Sequence, residues 1–342
     1  MEASVDPVFY FNVYSPVTCL SFFTVQDTNS EVKHENVLIG TNDGKVLEWS
    51  LKSRKEICNI EYSVHKNHNP ILWLSTLQSC QEKLLLIIQE RFSNIIYILK
   101  HTGITWCREQ GLEIEIAEKH VGFCKGDTIL NSNIVFPCGE NSFEVVKVRK
   151  EQSVHEYQLA SPTTDIKSCG TITSLKFTLL EKNETLFSSY ENGDIYIYKV
   201  FTKDEKLMLE ILFKYESLLV TPLSLFFDED KLAGVVGGSE DIILSFKISA
   251  EKSKIEVNVL KKRQISTKGV SSVLIRPDKK IVIAGSWDST IKLFSWMHPE
   301  KLKPLGALKF HSESVDVIAA KSDSKLIAAG SKDGKISFWN IY

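Results

Sequence analysis

Along much of the chain, apolar and polar residues alternate in short runs broken by polar turns, the periodicity of half-buried β-strands. The pattern is sharpest near the C-terminus. Ile327 and Ala329 lead into Ser331-Lys332-Asp333-Gly334, and a second run carries Ile336, Phe338 and Trp339. Asp-Gly between alternating runs predicts a hairpin, because glycine accepts the positive φ such turns require. The same spacing recurs upstream. GSWDSTIKLF (Gly285 to Phe294) places Asp288 and Phe294 at the Asp and Trp positions, and GTNDGKVLEW (Gly40 to Trp49) places Asp43 and Trp49 there. GGSEDIILSF (Gly237 to Phe246) has Glu240, and SYENGDIYIY (Ser189 to Tyr198) has Asn192 and Tyr198. Two eroded copies end near Ile98 and Val146. The third-strand positions then fall at 49, 98, 146, 198, 246, 294 and 339, at intervals of 49, 48, 52, 48, 48 and 45.

So even a period marks a propeller, each repeat being one blade of four strands. Seven blades fill the 342 residues, so the predicted fold is all-β: a seven-bladed β-propeller, residues 1–342 forming one domain. Val8 to Tyr14 also alternates but has no blade of its own, and the last repeat stops at its third strand. The N-terminal strand is therefore expected to become the outer strand of the last blade, which closes the ring and removes an open edge. Inner strands are expected at Pro16–Phe23, Pro70–Leu77, Val121–Cys124, Thr171–Phe177, Thr221–Phe227, Val270–Ile275 and Val315–Ala319. No segment has a helical period of useful length.

Net charge is −2, which points away from nucleic acid or an anionic membrane as principal partner. The strongest apolar run, Leu84 to Ile88, is far shorter than a membrane helix. The opening MEASVDPVFYF lacks the basic region of a secretory signal. Seven scattered cysteines without a C-x-x-C suggest reduced thiols in cytosol or nucleus; Cys19, Cys124 and Cys169 read as small core residues.

The turn Asp of such a repeat has an architectural role. Its carboxylate can accept from turn amides and from a preceding His, which in turn can reach the Trp indole N–H. His311, Asp333 and Trp339 fit this relay in the last blade. Because Asp and Trp positions recur at the repeat period, they read as architecture; a catalytic constellation would occur once. His65 and His68 lack the Cys or carboxylate neighbours of a metal site. No phosphate loop, nucleophile elbow or H-E-x-x-H is present. No enzyme activity, cofactor or metal is expected.

Trp287 stands immediately before Asp288, where Lys332 and Asn42 stand in other repeats. A Trp at a polar turn position is either an interaction anchor or a cover over the neighbouring blade. Trp287 and Lys332, bordered by Ser312 and Glu313, form the candidate partner-binding rim.

Three stretches carry a resemblance: VGFCKGDTIL (Val121 to Leu130), VLIRPDKKIVIAGSWDSTIKLFSW (Val273 to Trp296), and KFHSESV followed by AAGSKDGKISFWNIY. They resemble the WD-repeat family that joins the fungal ASTRA-associated protein to its animal relatives. The resemblance implies a non-enzymatic adaptor, monomeric by itself, in cytoplasm and nucleus. It implies protein partners, namely subunits of the TTT co-chaperone complex that matures phosphatidylinositol-3-kinase-related kinases (PIKKs). Other propeller roles compete with it. A G-protein beta subunit would need an N-terminal heptad helix, for which a strand starting by Val8 leaves no room. A substrate receptor of a cullin-type ligase often carries Trp-Asp-x-Arg; Trp49-Ser50-Leu51-Lys52 and Trp339-Asn340-Ile341-Tyr342 lack the Asp and Arg. A histone-peptide reader would need a cage at the central channel.

Overall fold

Segments such as Asn133–Cys138, Ala233–Gly238 and Ile281–Ser286 are buried along their whole length. A strand apolar on both faces has to lie between two packed sheets, and seven such strands, one per repeat, can be covered on both sides only by stacking the repeats in a ring. The computed structural model describes residues 6–26, 33–63, 69–78, 84–129, 133–147, 159–160, 169–204, 206–216, 220–251 and 254–341. It contains seven four-stranded antiparallel sheets arranged as a seven-bladed propeller, with no α-helix among the described residues. His65 and His68 lie outside the described residues.

Six blades are built from consecutive strands, inner to outer. Blade one is Val17–Gln26, Lys33–Thr41, Val46–Ser50 and Lys55–Asn59; blade two is Ile71–Gln78, Leu84–Glu90, Ile95–His101 and Trp106–Glu115. Blade three is Asp127–Ile129, Asn133–Cys138, Ser142–Lys147 and Leu159–Ala160. Blades four, five and six begin at Ile172–Leu180, Pro222–Asp228 and Val270–Ile275. Blade seven combines Val315–Ala320, Ile327–Ser331 and Lys335–Trp339 with the N-terminal strand Phe9–Asn12.

That N-terminal strand closes the ring as expected, Phe9 opposite Phe338 and Phe11 opposite Ile336. Phe9 stacks on Phe338 with ring centroids 4.4 Å apart, and Phe11 lies 4.0 Å from Trp49 of blade one. The seam between blades seven and one is thus an apolar cluster of Phe11, Val17, Val37, Ile39, Ile336 and Phe338.

Two expectations need correction. VGFC does not open blade three; its inner strand is Asp127–Ile129, and Val121–Cys124 belongs to the connection from blade two. The apolar character that imitates a strand has another cause: Cys124 is buried, whereas Phe123 is exposed. In blade two the position equivalent to Trp49 is Leu99, not Ile98. Val37 pairs with Trp49, and Leu86 pairs with Leu99. In blade one Gly40 and Val46 flank a turn of five residues, 41–45; in blade two Gln89 and Ile96 flank six, 90–95. A one-residue slip reverses which face a side chain occupies. Accordingly Leu99 packs between blades one and two, and Ile98 packs between blades two and three.

Removing residues 1–14 should open the seam and lower the melting temperature of the whole propeller. The point substitution Phe11→Ala isolates one contact and should cost about 3–5 kcal/mol, the usual range for a buried Phe truncation. Denaturant unfolding measures both, and an unchanged midpoint for either would refute closure by this strand.

Candidate functional site

In blade seven the hairpin glycine, Gly334, takes φ +76°, and the residue before it turns its carboxylate inward. Asp333 accepts from the amides of Ser312 (3.0 Å) and Lys335 (2.9 Å) and faces His311 Nδ1 at 3.1 Å. The sequence-based relay ran from His311 directly to Trp339. Instead, Ser337 stands between them: His311 Nε2 lies 2.7 Å from Ser337 Oγ, and Trp339 Nε1 donates to the same oxygen at 2.7 Å. Residues two apart share a strand face, so Ser337 beside Trp339 was the available signal. The network fixes the directions: the indole N–H donates to Ser337, Ser337 to Nε2, and Nδ1–H to Asp333.

Asp, His and Ser in this order imitate a nucleophilic triad. However, Ser337 is fully buried, and its oxygen is held by both the indole and the imidazole, so no substrate atom can approach it. Burial pushes the His311 pKa down more than Asp333 raises it, keeping the ring neutral. Burial alone would raise Asp333; the Ser312 and Lys335 amides and His311 outweigh it and hold the carboxyl below its ordinary range. Other blades keep only parts of the relay. In blade six Thr267 and Thr290 donate to Asp288, at 2.7 and 2.6 Å. In blade one Asp43 accepts from Thr41 at 2.6 Å, whereas the Trp49 indole N–H has no acceptor. Leu47 stands there where Ser337 stands in blade seven.

The candidate rim residues sit on second-to-third-strand turns and on the connections that enter the blades. Trp287 is held from within its own blade. It lies over Gly269, in the connection entering its own blade, where a methyl group would fall inside the indole. Its Nε1 donates to Ser271 Oγ at 2.6 Å, yet it stays 45% exposed. Ser271 in turn meets Asp316 Oδ1 at 3.2 Å, Ser314 donates to the same carboxylate oxygen, and Lys332 Nζ lies 3.8 Å from Asp316 Oδ2. Asp316, unnoticed in the sequence, therefore links the Trp287 side of the rim to the Lys332 side. Ser312 and Glu313 are exposed beside it. Among the described residues no group of three or more His, Cys, Asp or Glu could hold a metal ion.

A second rim cluster escaped the sequence reading. Arg91 holds the turn position of Asn42: its N–H donates to Pro70 O as that of Asn42 donates to Pro16 O. Ser93 plays the part of Asp333, its Oγ accepting from the amide two residues on, Ile95 N–H. Phe92 between them is the additional residue, at φ +67°. Arg91 stacks on Phe123, with Cζ 3.8 Å from the ring centroid, and 4.6 Å from that of Phe92.

Together these features define a seven-bladed propeller whose turn Asp residues, with His311 and Trp339 in blade seven, are engaged by the protein's own hydrogen bonds, and whose turn rim is chemically varied. Comparison with known proteins agrees. The family described as "WD domain, G-beta repeat" matches residues 258–295 and 302–340. The chain is 26% identical over 312 residues to guanine nucleotide-binding protein subunit beta-like protein 1 of Mus musculus, covering 89% of this chain and 86% of that one. It is also 26% identical to ASTRA-associated protein 1 of Schizosaccharomyces pombe, over 64% of each chain. The solved propeller domain of Cps50 (Swd1) from Myceliophteria thermophila superposes with a TM-score of 0.71, at 15% identity over 98% of this chain and 99% of that one, a likeness of fold alone.

Asp333→Ala would leave the Ser312 and Lys335 amides and His311 without their acceptor, and should cost roughly 1–3 kcal/mol in a urea titration. A fully stable variant would show that the relay does not support the blade. Acid should act in the same direction. Burial lowers the pKa of His101, His120 and His311 below the ordinary 6.5. Above that value both folded and unfolded forms are neutral. Below it the unfolded chain binds protons that the folded chain refuses, so stability falls as pH falls. Melting temperature should therefore drop between neutrality and about pH 5; a flat profile would contradict neutral buried rings.

Proposed function

We propose that this propeller is a non-enzymatic adaptor that works with the TTT co-chaperone complex in the maturation and stability of PIKKs, in cytoplasm and nucleus. Similarity over most of the chain to the beta-like protein, and over nearly two thirds of it to an ASTRA-associated protein, carries the reading. A rigid ring with a varied rim suits an adaptor, because loops on a fixed scaffold make contact surfaces. The rim of Trp287, Lys332, Ser312 and Glu313 is the proposed contact for a co-chaperone subunit. Trp287 suits the part: its indole is already oriented by Ser271 and Gly269, so little freedom is lost on binding.

Quantitative mass spectrometry of the affinity-purified protein tests the assignment. Co-chaperone subunits should dominate; cullin-ligase adaptors or histones in their place would overturn it. Trp287→Ala tests the rim. The variant should stay folded, losing about 1 kcal/mol with its one side-chain hydrogen bond, while capture of the co-chaperone falls by about 2 kcal/mol or more in affinity. Intact folding with intact capture would remove Trp287 from the contact.

A further inference from the structure

The rim between blades two and three holds an aromatic clamp remote in sequence from Trp287. Its centre is Arg91, whose Nε and Nη2 both donate to Val121 O, at 2.9 and 2.7 Å. The guanidinium carbon lies over the rings of both Phe92 and Phe123. Phe123 is 75% exposed, and Phe92 and Val121 are partly exposed beside it.

This exposure is built in by the fold. The Phe92 amide donates to His120 O at 3.1 Å. His120 is buried and its Nδ1 meets Gly139 O of blade three at 2.7 Å. Gly122 closes over the Nε2 side of that ring, where a methyl group would come within 2.6 Å of Nε2. The connection is thereby tied to both blades, and it holds the Phe123 side chain in solvent. Phe92 adds a bulky residue in the left-handed region, which is unfavourable without a return elsewhere.

We infer that this clamp is a docking site for a protein segment that presents carboxylates flanked by apolar side chains. Charge decides the class of partner. Among the described residues neither Arg91 nor the exposed Lys119 has a carboxylate within ion-pair distance. Among the described residues Arg91 Nη1 has no hydrogen-bond partner, and a guanidinium already oriented by a carbonyl can receive a carboxylate in a fixed geometry. Exposed phenyl rings beside it take apolar side chains, and Arg with aromatic neighbours is the composition of interface hot spots. A phosphate polyanion would require a continuous basic track, which Glu118 and Glu140, on the blade-three side next to Gly139, interrupt. The inference is independent of the co-chaperone assignment.

The test uses the purified full chain and fluorescence anisotropy. The probe is a fluorescein-labelled peptide in which glutamate alternates with phenylalanine and leucine; its glutamine-for-glutamate counterpart and a labelled oligothymidine are the comparisons. The acidic peptide should bind, with its counterpart weaker by about tenfold or more. Arg91→Met and Phe123→Ser should each weaken the acidic peptide by about tenfold or more. Phe123→Ser should do so with an unchanged melting temperature, since its ring is mostly in solvent. No binding, equal binding of the two peptides, preference for the oligothymidine, or indifference to both substitutions would each overturn the proposal.

Discussion

Everything in this propeller depends on covering strands that are apolar on both faces. The middle strands of a blade, Ile281–Ser286 for example, are buried throughout, so no blade can be stable alone. Its two faces are satisfied by the blade before and the blade after. Trp339 and Ile327 of blade seven pack against Ile281 and Ile283 of blade six, as Phe294 and Val282 of blade six pack against Val235 of blade five. Burying the apolar surface therefore requires the ring. The exposed outer strands follow from the same logic: Pro304–Lys309, at the outer edge of blade six, is almost wholly exposed.

The repeat made the architecture readable. Alternation, turn residues and spacing together placed most inner strands and ring closure, because each states a local requirement that recurs. The misplacements lie where local chemistry departs from the repeat. One additional residue, Phe92, shifts the count in blade two, and a strand's two-residue period turns that shift into the wrong face for Ile98. VGFC read as a strand because its apolar residues were assumed to share one role. In fact Gly122 makes room for a buried imidazole, Phe123 faces solvent and Cys124 enters the core. Such differences arise from contacts with His120 and Arg91, tertiary partners that no spacing within one repeat reveals.

The rim was legible only by exception. Trp287 drew notice as a large side chain at a polar turn position, but its anchoring through Ser271 and Asp316 joins residues from two blades. The aromatic clamp was hidden for another reason: Phe123, which meets Arg91 there, lies in the connection from blade two and not in the strand that VGFC imitates. A propeller offers the same turn seven times, so departures from the repeat at that turn are where recognition has room to differ.

Ring closure has a further consequence, for the order in which the protein can be made. Phe9–Asn12 leaves the ribosome before the other strands of the ring, and Lys335–Trp339, its partner, after them. Until blade seven has emerged, Phe9 and Phe11 have no seam to fill, and blade one lacks the cover that Phe338 and Ile336 provide. The nascent chain must carry an unpaired apolar strand through the synthesis of the six blades between, a period in which exposed strand edges invite aggregation. Termination just before the final hairpin would therefore leave blades one to six present and the first strand still without a partner.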